Sequence, residues 1–133
     1  GIMQVYQLER GKIRKVHEWE KEYGIKSATF KASPVSVRDM ATVDYKGKLL
    51  IFDIEHGKEK YGVQAHTGMA NTIDGIGGKG AEFGAPELVT GGTDGCVRVW
   101  DPRQQAPVVS LEPSVQEQVK PDCWSVAFGN AYN

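Results

Sequence analysis

Residues 40–53 read Met-Ala-Thr-Val-Asp-Tyr-Lys-Gly-Lys-Leu-Leu-Ile-Phe-Asp, and residues 88–101 read Leu-Val-Thr-Gly-Gly-Thr-Asp-Gly-Cys-Val-Arg-Val-Trp-Asp. At an offset of 48, Thr42 falls on Thr90, Gly47 on Gly95 and Asp53 on Asp101, while Leu49, Ile51 and Phe52 fall on Val97, Val99 and Trp100. Each stretch reads as a strand, a turn at Lys46-Gly47 or Asp94-Gly95, and a second strand. Asp-Gly between apolar runs is a strong hairpin signal, because such turns place a residue at positive φ.

Fainter copies lie outward from this pair. Gly1–Glu9 lies over Gly47–Glu55 at an offset of 46, and Cys123–Phe128 resembles Ile25–Phe30, with Ser27/Ser125 and Phe30/Phe128 identical. Sixteen glycines are scattered between short β-branched runs, the texture of many short strands joined by tight turns. A repeat of about 44–48 residues with several strands per unit predicts an all-β fold, a β-propeller built from four-stranded blades. The strand map is near 2–9 and 13–19; 25–30, 38–44, 48–54 and 60–65; 69–74, 87–92, 96–101 and 107–111; and 123–128. That divides the chain into the outer strands of one blade (1–22), a complete blade (23–65), a second complete blade (66–112) and the first strand of the next (121–133), or about 2.75 blades. Such a piece leaves sheet edges open, so self-association of the fragment through them is expected.

Composition bounds the function. The 133 residues carry 16 basic and 17 acidic side chains, a net charge of −1, which recommends no nucleic-acid partner. No apolar run approaches the roughly 20 residues of a membrane-spanning helix, so no membrane partner is expected. The opening Gly1-Ile2-Met3-Gln4 has no basic-then-apolar leader, so no secretory signal is expected. Cys96 and Cys123 make no disulfide framework and have no zinc-site spacing, which points to a reducing, cytoplasmic setting and to no metal. Both read as inert fillers.

Four residue types in the 66–112 unit belong together chemically. An aspartate at a turn (Asp94) accepts from turn amides and from one imidazole nitrogen of His66. The other nitrogen meets the Thr90 hydroxyl, which meets the Trp100 indole N–H. Each buried polar group then has a partner, and the set fixes the shape of the sheet. The rival reading, a base–orienter–nucleophile triad of His66, Asp94 and Thr90, is weaker, because threonine is a rare nucleophile away from an N-terminus. No catalytic residues are assigned. The 23–65 unit looks degenerate: Phe52 replaces the tryptophan, Lys46 stands at the position of the turn aspartate, and no histidine precedes Ser27 at the right place. It must rely on packing, and a sheet covered on both faces explains why Leu49-Leu50-Ile51-Phe52 does not alternate with polar residues.

Gly75-Ile76-Gly77-Gly78-Lys79-Gly80 satisfies G-x-G-x-x-G, but the following Ala81-Glu82-Phe83-Gly84-Ala85-Pro86 does not read as the helix a dinucleotide site needs. A nucleotide-dependent enzyme is therefore the weakest reading, and no cofactor is assigned. The stretch reads as a long connector, with Ile76, Gly77, Gly78, Lys79 and Phe83 as candidate partner contacts, since binding groups favour loops on rigid scaffolds. If it is only a connector, bulkier residues at 77 and 78 should leave the fold intact. His17, Trp19 and Tyr23 read as surface packing, and Lys12, Arg14 and Lys15 as a solvated edge.

The set His66, Thr90, Asp94 and Trp100-Asp101, with thirty-three residues between His66 and Trp100, resembles the WD-repeat family; Ala65 stands where that family usually has glycine. Within it, Asn71–Gly78, Gly84–Gly91, Asp94–Gln104 and Asp122–Asn133 resemble the WD-repeat factors that assist cytoplasmic assembly of axonemal dynein arms. That resemblance implies a seven-bladed ring without enzymatic activity and a role as co-chaperone adaptor. The partners it implies are an assembly of RuvB-like ATPases and prefoldin-like subunits, and dynein chains in ciliated cells, with a link to apoptosis. A WD-repeat adaptor of another complex, such as a ubiquitin-ligase substrate receptor, is the alternative.

Overall fold

A computed structural model describes residues 1–77 and 87–129. They form three antiparallel sheets, and no helix occurs among them. The first sheet pairs β1 (Ile2–Glu9) with β2 (Lys12–Glu20). The second has β3 (Ile25–Thr29), β4 (Asp39–Asp44), β5 (Lys48–Asp53) and β6 (Lys58–Gln64) in sequential order. The third repeats that order with β7 (Ala70–Gly75), β8 (Leu88–Gly92), β9 (Val97–Trp100) and β10 (Val109–Leu111).

The offset of 48 holds in the register. Met40 faces Phe52 as Leu88 faces Trp100; Ala41 faces Ile51 as Val89 faces Val99; Thr42 faces Leu50 as Thr90 faces Arg98. The turns agree as well. The Gly47 amide donates to the Asp44 carbonyl and the Gly95 amide to the Gly92 carbonyl, both at 3.1 Å, with φ of 80° and 75°. A left-handed glycine closing a short hairpin loop is the usual solution where the strands must keep their twist.

The sheets stack face to face, and the strand period of two distributes the second sheet's side chains between its neighbours. Met40, Leu50 and Phe52 cluster with Met3 and Val5 of the first sheet. Ala41, Val43, Leu49, Ile51, Tyr61 and Val63 cluster with Ala70, Ile73, Leu88 and Trp100 of the third and with Ala65 between the two. This double covering is why the apolar run 49–52 is buried throughout.

The first sheet docks through aromatic rings. His17 stacks on Trp19 at 5.1 Å between centroids, Trp19 meets Phe52 at 5.4 Å, and Lys21 Nζ lies 4.7 Å over the Phe52 ring. The Trp19 indole N–H donates to the Gly57 carbonyl at 3.1 Å. Tyr23 lies under Lys46 Nζ at 5.4 Å.

The strand expected near 123–128 has no ladder among the described residues. The Asn71 side-chain amide donates to the Cys123 carbonyl at 3.0 Å, the Val126 amide reaches Thr72 Oγ1 at 3.4 Å, and the Phe128 amide reaches Asp74 Oδ2 at 2.9 Å. The segment is therefore held by β7 side chains that donate or accept, and by one backbone bond from the Cys123 amide to the Gly92 carbonyl at 3.0 Å. A ladder needs repeated backbone-to-backbone bonds, and these contacts to β7 go through side chains instead.

Candidate functional site

The third sheet gathers the four predicted side chains. His66 precedes β7, Thr90 is central in β8, Asp94 lies in the β8–β9 turn and Trp100 ends β9. The Trp100 indole N–H donates to Thr90 Oγ1 at 2.9 Å. Thr90 Oγ1 lies 2.8 Å from His66 Nε2, and His66 Nδ1 lies 2.9 Å from Asp94 Oδ1. Donor and acceptor capacity assigns the protons: indole to hydroxyl, hydroxyl to Nε2, Nδ1–H to carboxylate, with a neutral imidazole. His66, Thr90 and Trp100 are 1%, 0% and 2% exposed, so these three members are closed off from bulk water, while Asp94 at the end of the chain is partly exposed.

Asp94 is the hub. Its Oδ1 also accepts from the Cys96 amide at 3.1 Å, and its Oδ2 from the Thr67 amide at 3.1 Å and Arg98 at 3.3 Å. Burial pushes its carboxyl up, but the hydrogen bonds from His66 and the Cys96 and Thr67 amides outweigh this and hold it at about 2. For His66, burial pushes the imidazole below its ordinary value and the Asp94 carboxylate offsets this only in part. Burial also pushes the Cys96 thiol up, which disfavours a reactive thiolate.

Both shifts make acid destabilising. An unfolded histidine takes a proton as pH falls below about 6.5 while folded His66 resists it, so stability falls from there downward. The Asp94 contribution is present above pH 3.8 and is lost between there and about pH 2. Denaturant titrations at pH 7.5, 5.5 and 2.5 should show stability decreasing in that order, and Asp94→Asn should flatten the most acidic step. Equal stability at pH 7.5 and 5.5 would contradict a neutral, buried His66.

One member of this site, and one turn aspartate in the neighbouring sheet, carry no signal in the sequence alone. Arg98 occupies the register position of Leu50, yet its guanidinium reaches the Ala65 carbonyl at 2.7 Å, Asp94, and Glu112 at 3.1 Å, tying β9 to the chain just before His66. In the second sheet, Asp44 does the work that the alignment reserves for position 46. Its Oδ1 accepts from the Lys46 and Lys48 amides at 2.8 and 2.9 Å. A turn aspartate is thus present, two residues earlier than its counterpart.

Thr42, the register partner of Thr90, is 1% exposed, and its hydroxyl has no hydrogen-bond partner among the described residues. It sits where the hydroxyl of a four-membered chain would be, with neither histidine nor indole to meet it. Removing an unsatisfied buried hydroxyl while keeping its shape is close to neutral or stabilising, whereas removing a satisfied hub strands its partners at about 1–3 kcal/mol. Thr42→Val should therefore hold or raise the melting temperature, and Thr90→Val should lower it. Equal losses would mean that Thr42 has a partner in solution.

Of the predicted contact loop, Gly78, Lys79 and Phe83 lie outside the described residues. Ile76 is 45% exposed. Gly77 is committed elsewhere: its amide donates to the Lys31 carbonyl at 2.9 Å, and a Cβ there would lie 2.5 Å from the Lys31 and Ser33 carbonyl oxygens. A Cβ on Gly75 would likewise collide with the Lys31 carbonyl. These glycines let β7 approach the backbone beyond β3, so a bulkier residue at 77 disturbs the stacking of the sheets, contrary to the sequence expectation. No group of three or more His, Cys, Asp or Glu side chains suited to a metal ion occurs among the described residues.

No protein-family model matches the chain. Three curated relatives, each named Dynein axonemal assembly factor 10, align with all of it: the Bos taurus and Homo sapiens proteins at 48% identity and the Chlamydomonas reinhardtii protein at 47%. The resemblance pointed to one individual protein, the WD-repeat protein Monad, and to a piece of its propeller. That identification is corrected by the structure: the name Dynein axonemal assembly factor 10 fits the assembly role it implied, but the described residues are a small β fragment of three sheets, which displays no ring. The chain is thus similar along its entire length to proteins named as dynein axonemal assembly factors, and it spans 37–38% of their length.

Proposed function

We propose that this chain is part of a non-catalytic protein-interaction scaffold that assists the cytoplasmic assembly of axonemal dyneins. The observation carrying this reading is the overall 47–48% identity, in alignments that span the whole chain, to factors with that name from cattle, humans and a green alga. The sheets are the blades of a propeller: residues 1–22 are the outer strands of one, 23–65 and 66–112 two more, and 121–133 the first strand of the next. His66, Thr90, Asp94 and Trp100 are the internal brace of one blade. Support comes from the burial of His66, Thr90 and Trp100, since a hydrogen-bonded set closed off at these three side chains holds a shape. The partners are dynein chains and a co-chaperone assembly of RuvB-like ATPases and prefoldin-like subunits, met through loops such as the one that begins at Ile76.

The test is affinity recovery from ciliated-cell cytosol with the tagged full-length protein. Axonemal dynein heavy chains and RuvB-like ATPases are the expected co-purifying proteins. Recovery of a ubiquitin-ligase core with no dynein chain would replace this reading by a different adaptor role.

A further inference from the structure

A cavity of about 530 Å³ opens between the first and second sheets, within the span of about 300–1,000 Å³ seen for ligand sites. Its apolar wall includes Val5, Val16, Phe30 and Val35, and Phe30 and Val35 are 63% and 60% exposed. Its charged lining differs from every other charged cluster described above. Asp39 is held by Lys60 at 2.7 Å. Arg38 and Glu55 are exposed and form no ion pair with each other or with any other described residue.

The rim is also fixed in place. Arg38 has φ of 59°, which is uncommon for a residue with a Cβ. Its amide donates to the Pro34 carbonyl at 3.4 Å, and its carbonyl accepts from the Ile54 amide at 3.1 Å. That second bond ties the β3–β4 loop to the β5–β6 turn, so Arg38 and Glu55 stand on one backbone-linked rim above an apolar floor. A non-glycine residue held at positive φ by hydrogen bonds on both sides is characteristic of functional sites.

We propose that this cavity docks an extended segment of a partner protein in which apolar side chains are flanked by an acidic and a basic residue. The apolar side chains enter between Val5 and Val35, the acid meets Arg38 and the base meets Glu55. Charge complementarity selects this occupant over a purely apolar or single-sign one: the rim offers one free charge of each sign. The inference does not depend on which assembly the protein serves.

The probe is a fluorescent acetylated hexapeptide, Ser-Glu-Leu-Leu-Lys-Ser amide, titrated by anisotropy into the full-length protein. It should bind more tightly than the Ser-Gln-Leu-Leu-Gln-Ser version by about 5-fold, the combined effect of two exposed charge pairs of ordinary strength. Arg38→Glu should weaken it by several-fold and should restore affinity for a peptide whose Glu is changed to Lys. Val35→Asp, at an exposed wall position, should reduce binding at least about tenfold with unchanged melting. Absence of binding, equal affinity for the Gln peptide, or an unaffected Val35→Asp variant would each overturn the proposal. The first is also the result if the protein's own chain fills the cavity.

Discussion

Trp100→Ala should lower the unfolding free energy of the full-length protein by about 3–5 kcal/mol, the range for removing a large buried aromatic. The indole is 2% exposed and packs with Leu88, Ile73 and the facing side chains of the second sheet. Its loss therefore opens a cavity between sheets and also strips Thr90 Oγ1 of the indole N–H donor. Trp100→Phe separates the two effects. The ring still fills most of the space, so the remaining cost reflects the missing donor and should be about 1–3 kcal/mol. Chemical denaturation monitored by far-UV circular dichroism measures both. A loss below about 1 kcal/mol for the alanine variant would contradict the packing described for this indole, because domains of this kind hold only about 5–15 kcal/mol in total.

Phe52→Ala is expected to cost a similar amount, about 3–5 kcal/mol, without any hydrogen bond being lost. Phe52 occupies the register position of Trp100 and is 1% exposed, but it faces the first sheet and meets Trp19 and Lys21. Removing it should free the β1–β2 hairpin before the rest unfolds. Trp19 fluorescence should then change at lower denaturant than the far-UV signal, while the two coincide in the unmodified protein. Coincident transitions in Phe52→Ala would mean that the hairpin is held by something other than this ring.

The contrast between positions 52 and 100 shows how far the sequence could be read. The offset of 48 was visible because a strand repeats every two residues. Once Thr42, Gly47 and Asp53 align with Thr90, Gly95 and Asp101, the pairing register follows. The His66–Thr90–Trp100 relation was visible for a similar reason, since donor and acceptor capacities leave these residue types few arrangements in which all are satisfied. Asp44 was missed because alignment by position looks for an aspartate at 46. The carboxylate reaches the same kind of turn amide from a different place. Arg98 was missed because its long side chain reads as a solvated strand residue, and only the fold brings the Ala65 carbonyl within its reach.

Local sequence by itself determined the strands up to Leu111, their turns and the likeness of two successive sheets, because these depend on side-chain alternation and on a few residues able to hold positive φ. Only the tertiary structure decided which face of each strand meets which neighbour. It alone revealed that Gly75 and Gly77 are clearance for a passing backbone, that residues 123–129 lean on side chains of β7, and that Arg38 and Glu55 share one rim. Those outcomes depend on the distance between segments far apart in the chain, which pairing rules within a sheet do not contain.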